Sequence, residues 1–171
     1  LTLFVFALGF GTAVTELASE AAVYNVIKAR KSKITVLSIV SDNESIAPAT
    51  SVPQAGQQQP DVILIEKRNR QFRVSITKNS GHKDKLKQML PIVAGKLRRL
   101  ECLARGIAIS DEDLCFDGSS EEIPWWFYHE GLAMIMNGSE SAPDMEPTRL
   151  CSEQIFQAVC EAWEEVHAIK P

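Results

Sequence analysis

The chain has 171 residues, of which 45% are hydrophobic, 23% charged and 7% aromatic, with 9 Gly and 8 Pro. That predicts a single α/β domain over 1–171 with a real core, and excludes collagen-like and wholly disordered chains. The net charge of -4 divides unevenly: residues 1–105 carry 16 Lys+Arg against 8 Asp+Glu, and residues 106–171 carry 2 against 14, so one basic and one acidic face are predicted.

Leu3, Phe4, Val5, Phe6, Ala7 and Leu8 form a continuous apolar run ended by Gly9 and Gly11, the pattern of a strand buried on both faces. The run falls short of the ~20 apolar residues of a membrane span, and no basic segment precedes it as in a signal peptide, so no membrane association is predicted. From Val14 the apolar positions Leu17, Ala18, Ala21, Val26 and Ile27 predict a helix. Glu16 and Glu20 fall in its first turns and Lys28, Arg30 and Lys31 in its last, which complements the macrodipole. Ile34 to Val40 is β-branched and reads as a second buried strand. Strand, glycine turn, helix and strand together predict a Rossmann-like βαβ start and hence a parallel sheet.

Residues 41–60 hold three prolines and the run Gln57, Gln58, Gln59, and predict a flexible loop. Asp61–Lys67 and Gln71–Thr77 flank the polar turn Arg68, Asn69, Arg70, and Phe72, Val74 and Ile76 alternate with polar residues. This predicts an antiparallel hairpin with one solvated face that extends the sheet at its edge. From His82 to Arg105, Leu86, Met89, Leu90, Val93, Leu97, Leu100 and Ala104 make a helical stripe, with Pro91 and Gly95 as bend points and Gly106 as C-terminal cap. The acidic portion 106–171 is predicted to be helical. One helix begins at the capping-box pair Ser119 and Glu122 with Pro124 in its first turn, and runs through Met136. A last helix over about 151–169 turns Ile155, Phe156, Val159, Trp163 and Val166 inward.

Three constellations carry candidate chemistry. Gly9, Gly11 and Thr12 lie between a predicted strand and helix, where backbone N–H groups face an anion. Asp42 and Asn43 follow the second strand, where an acidic side chain accepts from ribose hydroxyls in open α/β sheets; together these form a candidate nucleotide cradle, without a full GxGxxG pattern. Arg68 and Arg70 in the hairpin turn, with Lys96, Arg98 and Arg99 on the long helix, form a candidate anion-binding face. Trp125, Trp126 and Tyr128 point about 100° apart if helical, so one apolar stripe does not cover them all and a protein or domain interface is predicted.

Two short stretches resemble known families. The Pro-Trp-Trp and Glu-Gly-Leu-Ala portions of Pro124–Ala133 resemble the helix of zinc peptidases that supplies their third, glutamate ligand, which would be Glu130. The His-Glu-x-x-His helix of those enzymes has no counterpart, so no metal site is predicted. Glu20-Ala-Ala-Val-Tyr24 with Ser38-Ile-Val-Ser-Asp42-Asn43 is similar to a helix and Ser-Asp segment of nucleoside phosphorylases, over a short span at the wrong end of the chain.

Cys102, Cys115, Cys151 and Cys160 fit neither a disulfide framework nor a CxxC site and read as reduced thiols of a cytoplasmic protein. No catalytic residue is assigned and no cofactor is implied. Two functions fit this reading. The first is a binding module for a phosphate-bearing ligand, a nucleotide, oligonucleotide or RNA, for which CRISPR-associated Rossmann-type sensor domains are an architectural analogue. The second is a structural or assembly subunit that docks a protein partner or a further copy through its aromatic helix.

Overall fold

The computed structural model describes residues 11–19, 22–30, 32–52, 59–78, 80–110, 114–138 and 144–168. They form a mixed α/β protein around a six-stranded sheet. The predicted first strand, Leu3–Leu8, and Gly9 lie outside the described residues. Helix α1 covers residues 11–17. The predicted helix does not continue, because Val23–Ala29 is strand β1, paired antiparallel with β2 (Ser32–Val40) from Val23↔Ser38 to Ala29↔Ser32. Along the second half of β1, Ile27 and Ala29 are buried while Val26 and Lys28 are exposed, a period of two that a helix cannot satisfy.

A parallel pairing does occur, one element later than predicted. β2 pairs parallel with β3 (Val62–Glu66), from Val36↔Val62 to Val40↔Glu66, and the connection carries the short helix α2 (Ile46–Thr50). The predicted loop 41–60 therefore holds a helical turn, whose Ile46 and Ala49 are fully buried. β3 and β4 (Phe72–Ile76) form the predicted hairpin, with Arg70 in the left-handed region at φ 63. The hairpin is not at an edge. The strand order is β1-β2-β3-β4-β6-β5, with β6 (Met134–Asn137) on β4 and β5 (Phe127–His129) outermost. Residues 127–137 are thus a second hairpin where a helix was predicted. Only β2 and β3 run parallel among the described strands, so the Rossmann-like start gives way to a mixed sheet.

Helices cover both faces. Alternate residues of β3 explain why: Val62 and Leu64 join one core, Ile63 and Ile65 the other, the signature of a strand buried on both sides. On one side lie α1 and α2, with Ala13, Leu17, Ile46 and Ala49 against Leu37 and Ile39. On the other lie α3 (Lys83–Arg105) and α4 (Ser152–Ala168). The two helices run antiparallel, since Lys85 Nζ reaches Val166 O while Lys96 meets Glu161 and Glu165. Gly106 closes α3 at φ 71, and its N–H bonds the carbonyl of Leu103. Gly95 serves close approach, because a Cβ there would lie 2.8 Å from Cys115 Sγ.

Candidate functional site

The carboxyl ends of the parallel strands are where open α/β sheets bind ligands, and the predicted cradle residues Asp42 and Asn43 follow β2 there. Gly11 and Thr12 open α1, which sends Glu16 to this loop. Glu16 accepts from the Ser41 hydroxyl and, at 3.4 Å, from Asn43 Nδ2. The Asn43 N–H donates to Ser41 Oγ at 3.0 Å, and Asn43 Oδ1 accepts from the Ser45 N–H at 2.9 Å. Asp42 accepts the Arg68 backbone N–H at 3.0 Å and pairs with its guanidinium at 3.5 Å. Glu44 bridges Lys67 and Arg73, the latter at 2.8 Å. The structure thus brings together Asp42, Asn43 and Arg68, but their polar atoms tie the loop after β2 to the β3–β4 turn. The cavity beside them, lined by Val40, Glu66 and Ser152 among others, measures about 150 Å³, below the ~300 Å³ of typical small-molecule sites.

The Glu44 bridge yields a test. Partial burial opposes its ionisation, but the Lys67 hydrogen bond and the charges of Arg73 and Lys67 outweigh burial and hold its carboxyl below the usual value. A group with a depressed folded pKa stabilises above its unfolded value, near 4.5 here, and loses that contribution as pH falls through the folded value. Glu44→Gln is therefore expected to cost under ~1 kcal/mol at pH 7, in keeping with its part-exposed position. The difference from the unaltered chain should vanish in acid. Denaturant titrations at pH 7 and in acid measure this; a difference independent of pH contradicts the bridge.

The predicted anion-binding residues separate into different environments. Arg98 is fully buried. Its Nε donates to Trp126 O at 3.1 Å, and its terminal nitrogens donate to the carbonyls of Leu114 (2.6 Å), Phe116 (2.9 Å) and Gly118. The Phe116 ring lies 4.0 Å from its guanidinium carbon. Burial pushes its pKa down, against the charges of Cys115 and Asp117. Arg98 is therefore a clamp on the 114–118 segment with no face toward a ligand, which corrects its place on a basic surface. Lys96 is taken by Glu161 and Glu165 at 3.1 and 2.6 Å, and Arg70 reaches Leu150 O at 3.4 Å. Arg99 is exposed and makes no ion pair among the described residues.

The aromatic residues are also placed differently. Trp126 is fully buried and Tyr128 is 5% exposed, both in the core beneath α3 and α4. Trp125 is half-buried under the Arg105 guanidinium, 4.0 Å away. A buried network holds them. Glu101, itself fully buried, accepts from Trp126 Nε1 at 3.2 Å, Arg105 Nε at 2.7 Å, the Arg149 N–H at 3.0 Å and the Thr148 hydroxyl. In this hairpin the exposed aromatic is Phe127. Glu130 sits in the β5–β6 turn, and among the described residues no three His, Cys, Asp or Glu gather as a metal site. Tyr24, part of the helix implied by the phosphorylase resemblance, lies in strand β1.

The opposite, amino end of the parallel pair holds a cluster that the helical reading of residues 14–31 hid. Lys28 and Lys33 are exposed and directly opposed across the β1–β2 ladder, and Arg30 stands in the turn between them at φ 52. β4 and the start of α3 reach the same end, because Asp61, just before β3, binds both the Thr35 N–H of β2 (2.9 Å) and the hydroxyl of Ser80, just before α3. They add Lys78, Lys83, Lys85 and Lys87. None of these seven cations is ion-paired among the described residues, whereas Lys67, Arg68, Arg73, Lys96 and Arg105 all are.

No family model, curated protein or solved structure matches this chain. The signal that could have found the basic end is the alternation of Val26, Ile27, Lys28 and Ala29 about a turn, which places Lys28 and Lys33 at equal distances from it. No described helix is long and apolar enough to cross a membrane, and Cys102, Cys151 and Cys160 carry free thiols.

Proposed function

We propose that the chain is a binding module for a phosphate-bearing ligand, an oligonucleotide, held electrostatically at the amino end of the β2–β3 pair. The observation that carries this is the direct opposition of Lys28 and Lys33 with Arg30 between them, all without a carboxylate partner among the described residues. Like charges facing each other across a ladder work against the hairpin. A phosphodiester chain lying along the tip removes that repulsion and gains charge-assisted contacts. Lys78, Lys83 and Lys87 extend the field toward α3, where Asp84 and, at the end of α4, Glu164 and Glu165 are exposed acidic neighbours. Such a spread of cations suits several phosphates in a row better than one small ligand in a pocket. The carboxyl-end cations, neutralised by Asp42 and Glu44, contribute less.

Lys28→Glu separates this role from a structural one. It turns a repelling cross-strand pair into an attracting one, so thermal stability is expected to rise by roughly 1–3 °C. The same change should weaken binding of a single-stranded oligonucleotide and lower the slope of log K against log salt by about 0.7 for each phosphate that is no longer neutralised. Affinity measured at two salt concentrations checks it. Unchanged affinity and slope in both Lys28→Glu and Lys33→Glu rules out this end of the sheet as the site.

A further inference from the structure

We infer that the outer side of the antiparallel α3–α4 pair is the contact surface of a symmetric homodimer, in which α3 of each copy lies over α4 of the other. A groove of about 490 Å³ runs between the two helices, its apolar lining made by Leu100, Leu103 and Ala158. Leu103 is 66% exposed, the highest value among the described large hydrophobic residues. An apolar groove with so prominent a leucine is a surface that association would cover.

Charge selects a second copy as the occupant. The groove edge on α3 carries Lys96 and Arg99; the edge on α4 carries Glu153 and Glu161, and α4 contains no Lys or Arg at all. Within one copy Lys96 already satisfies Glu161 and Glu165. Arg99 and Glu153, both exposed on the rim, have no oppositely charged partner among the described residues. In a two-fold contact, residue i meets j and j meets i. A two-fold axis along the groove sets each α3 antiparallel over the partner's α4 at the same height, which brings Arg99 over the level of Gln157 and Ala158, between Glu153 and Glu161. Rotation about the perpendicular in-plane axis would stack α3 on α3, basic on basic. The surface is therefore self-complementary in one arrangement, and Leu103 of the two copies is buried across the groove in it. This surface is distinct from the lysine tip of the β1–β2 hairpin, so the two assignments stand or fall separately.

Sedimentation of the intact chain is expected to give a species of twice 18.9 kDa. Arg99→Glu places a carboxylate between Glu153 and Glu161 of the other copy, and Glu153→Arg places a second cation beside Arg99. Each should weaken dimerisation at least tenfold, by about 1.4 kcal/mol or more, and the double exchange Arg99→Glu with Glu153→Arg should restore it. Leu103→Asp should give a monomer whose thermal midpoint equals that of the unaltered chain at concentrations low enough to dissociate the dimer, because the residue is solvent-exposed in the single copy. A chain that stays monomeric up to about 100 µM, a free energy of association weaker than about 5.5 kcal/mol, overturns the inference. So does a dimer as tight in Arg99→Glu as in the unaltered chain, which would mean another surface or another occupant of the groove.

Discussion

Arg98→Ala is expected to destabilise the protein by about 4 kcal/mol, the range for breaking a buried charge-assisted network. The side chain lies at zero exposure and spans four carbonyls on two segments. Its loss does not affect them equally. Gly118 O also accepts from the Tyr128 N–H at 3.0 Å, so it stays satisfied, but the carbonyls of Leu114, Phe116 and Trp126 are each deprived of the guanidinium donor. Every buried acceptor left bare costs about 1–3 kcal/mol, less whatever water recovers. Release of a desolvated cation offsets part of this. With about 2–4 °C per kcal/mol for a chain of this size, the midpoint should fall by roughly 8–16 °C. Arg98→Lys keeps the charge but offers one ammonium in place of a planar fork, so it should recover only part of the loss. A cost below about 1 kcal/mol for Arg98→Ala would mean that the 114–118 segment is held by other contacts.

Trp126→Ala should cost about 3–5 kcal/mol, the range for removing a fully buried aromatic side chain. Two effects are involved, and Trp126→Phe separates them. Phe keeps most of the ring volume and loses only the indole N–H to Glu101. The carboxylate still receives Arg105, Thr148 and the Arg149 N–H, so that loss should be about 1 kcal/mol. Chemical denaturation read by two probes measures both values. Because Arg98 donates to the carbonyl of Trp126, the double change Arg98→Ala with Trp126→Ala should cost less than the two single changes added. Full additivity would show that the clamp and the indole act independently. Neither change touches the α3–α4 groove or the β1–β2 tip, so association and salt-dependent binding in the folded fraction should not move.

Both effects rest on charged residues inside α3. A helix buries a face wherever its neighbours provide one, and on the C-terminal half of α3 they provide the β5–β6 hairpin and the 145–150 segment. Glu101 and Arg105 then become the joint between them, with Arg105 bonded also to Glu146 at 2.7 Å and stacked on Trp125. Asn137 completes it. Its amide donates to Trp125 O at 2.7 Å, and its carbonyl accepts from the Thr148 N–H at 3.1 Å. A half-satisfied buried network destabilises, whereas a complete one specifies a single arrangement of the elements it joins.

What the sequence determined by itself is what depends on neighbours a few residues away. The stripe of Leu86, Met89, Leu90, Val93 and Leu97 defines α3, Gly106 ends it, Ile155, Val159, Trp163 and Val166 define the inner face of α4, and the turn at 68–70 joins two strands. Each follows from local periodicity or from a backbone conformation that few residues adopt. The rest needed a distant partner. Val23–Ala29 carries residues compatible with a helix and with a strand, and seven pairings with β2 decide for the strand. Phe127–His129 has the aromatic content of a strand, but only pairing with β6, itself laid on β4, makes it one. The same contacts decided the site. Lys28 and Lys33 oppose each other only once the hairpin forms, and Arg98 leaves the basic surface only because four carbonyls from remote segments converge on it. Charge is visible along a chain; whether a charge is paired, buried or exposed is a property of non-local contacts, and the free energy that settles it is gained only when those contacts form.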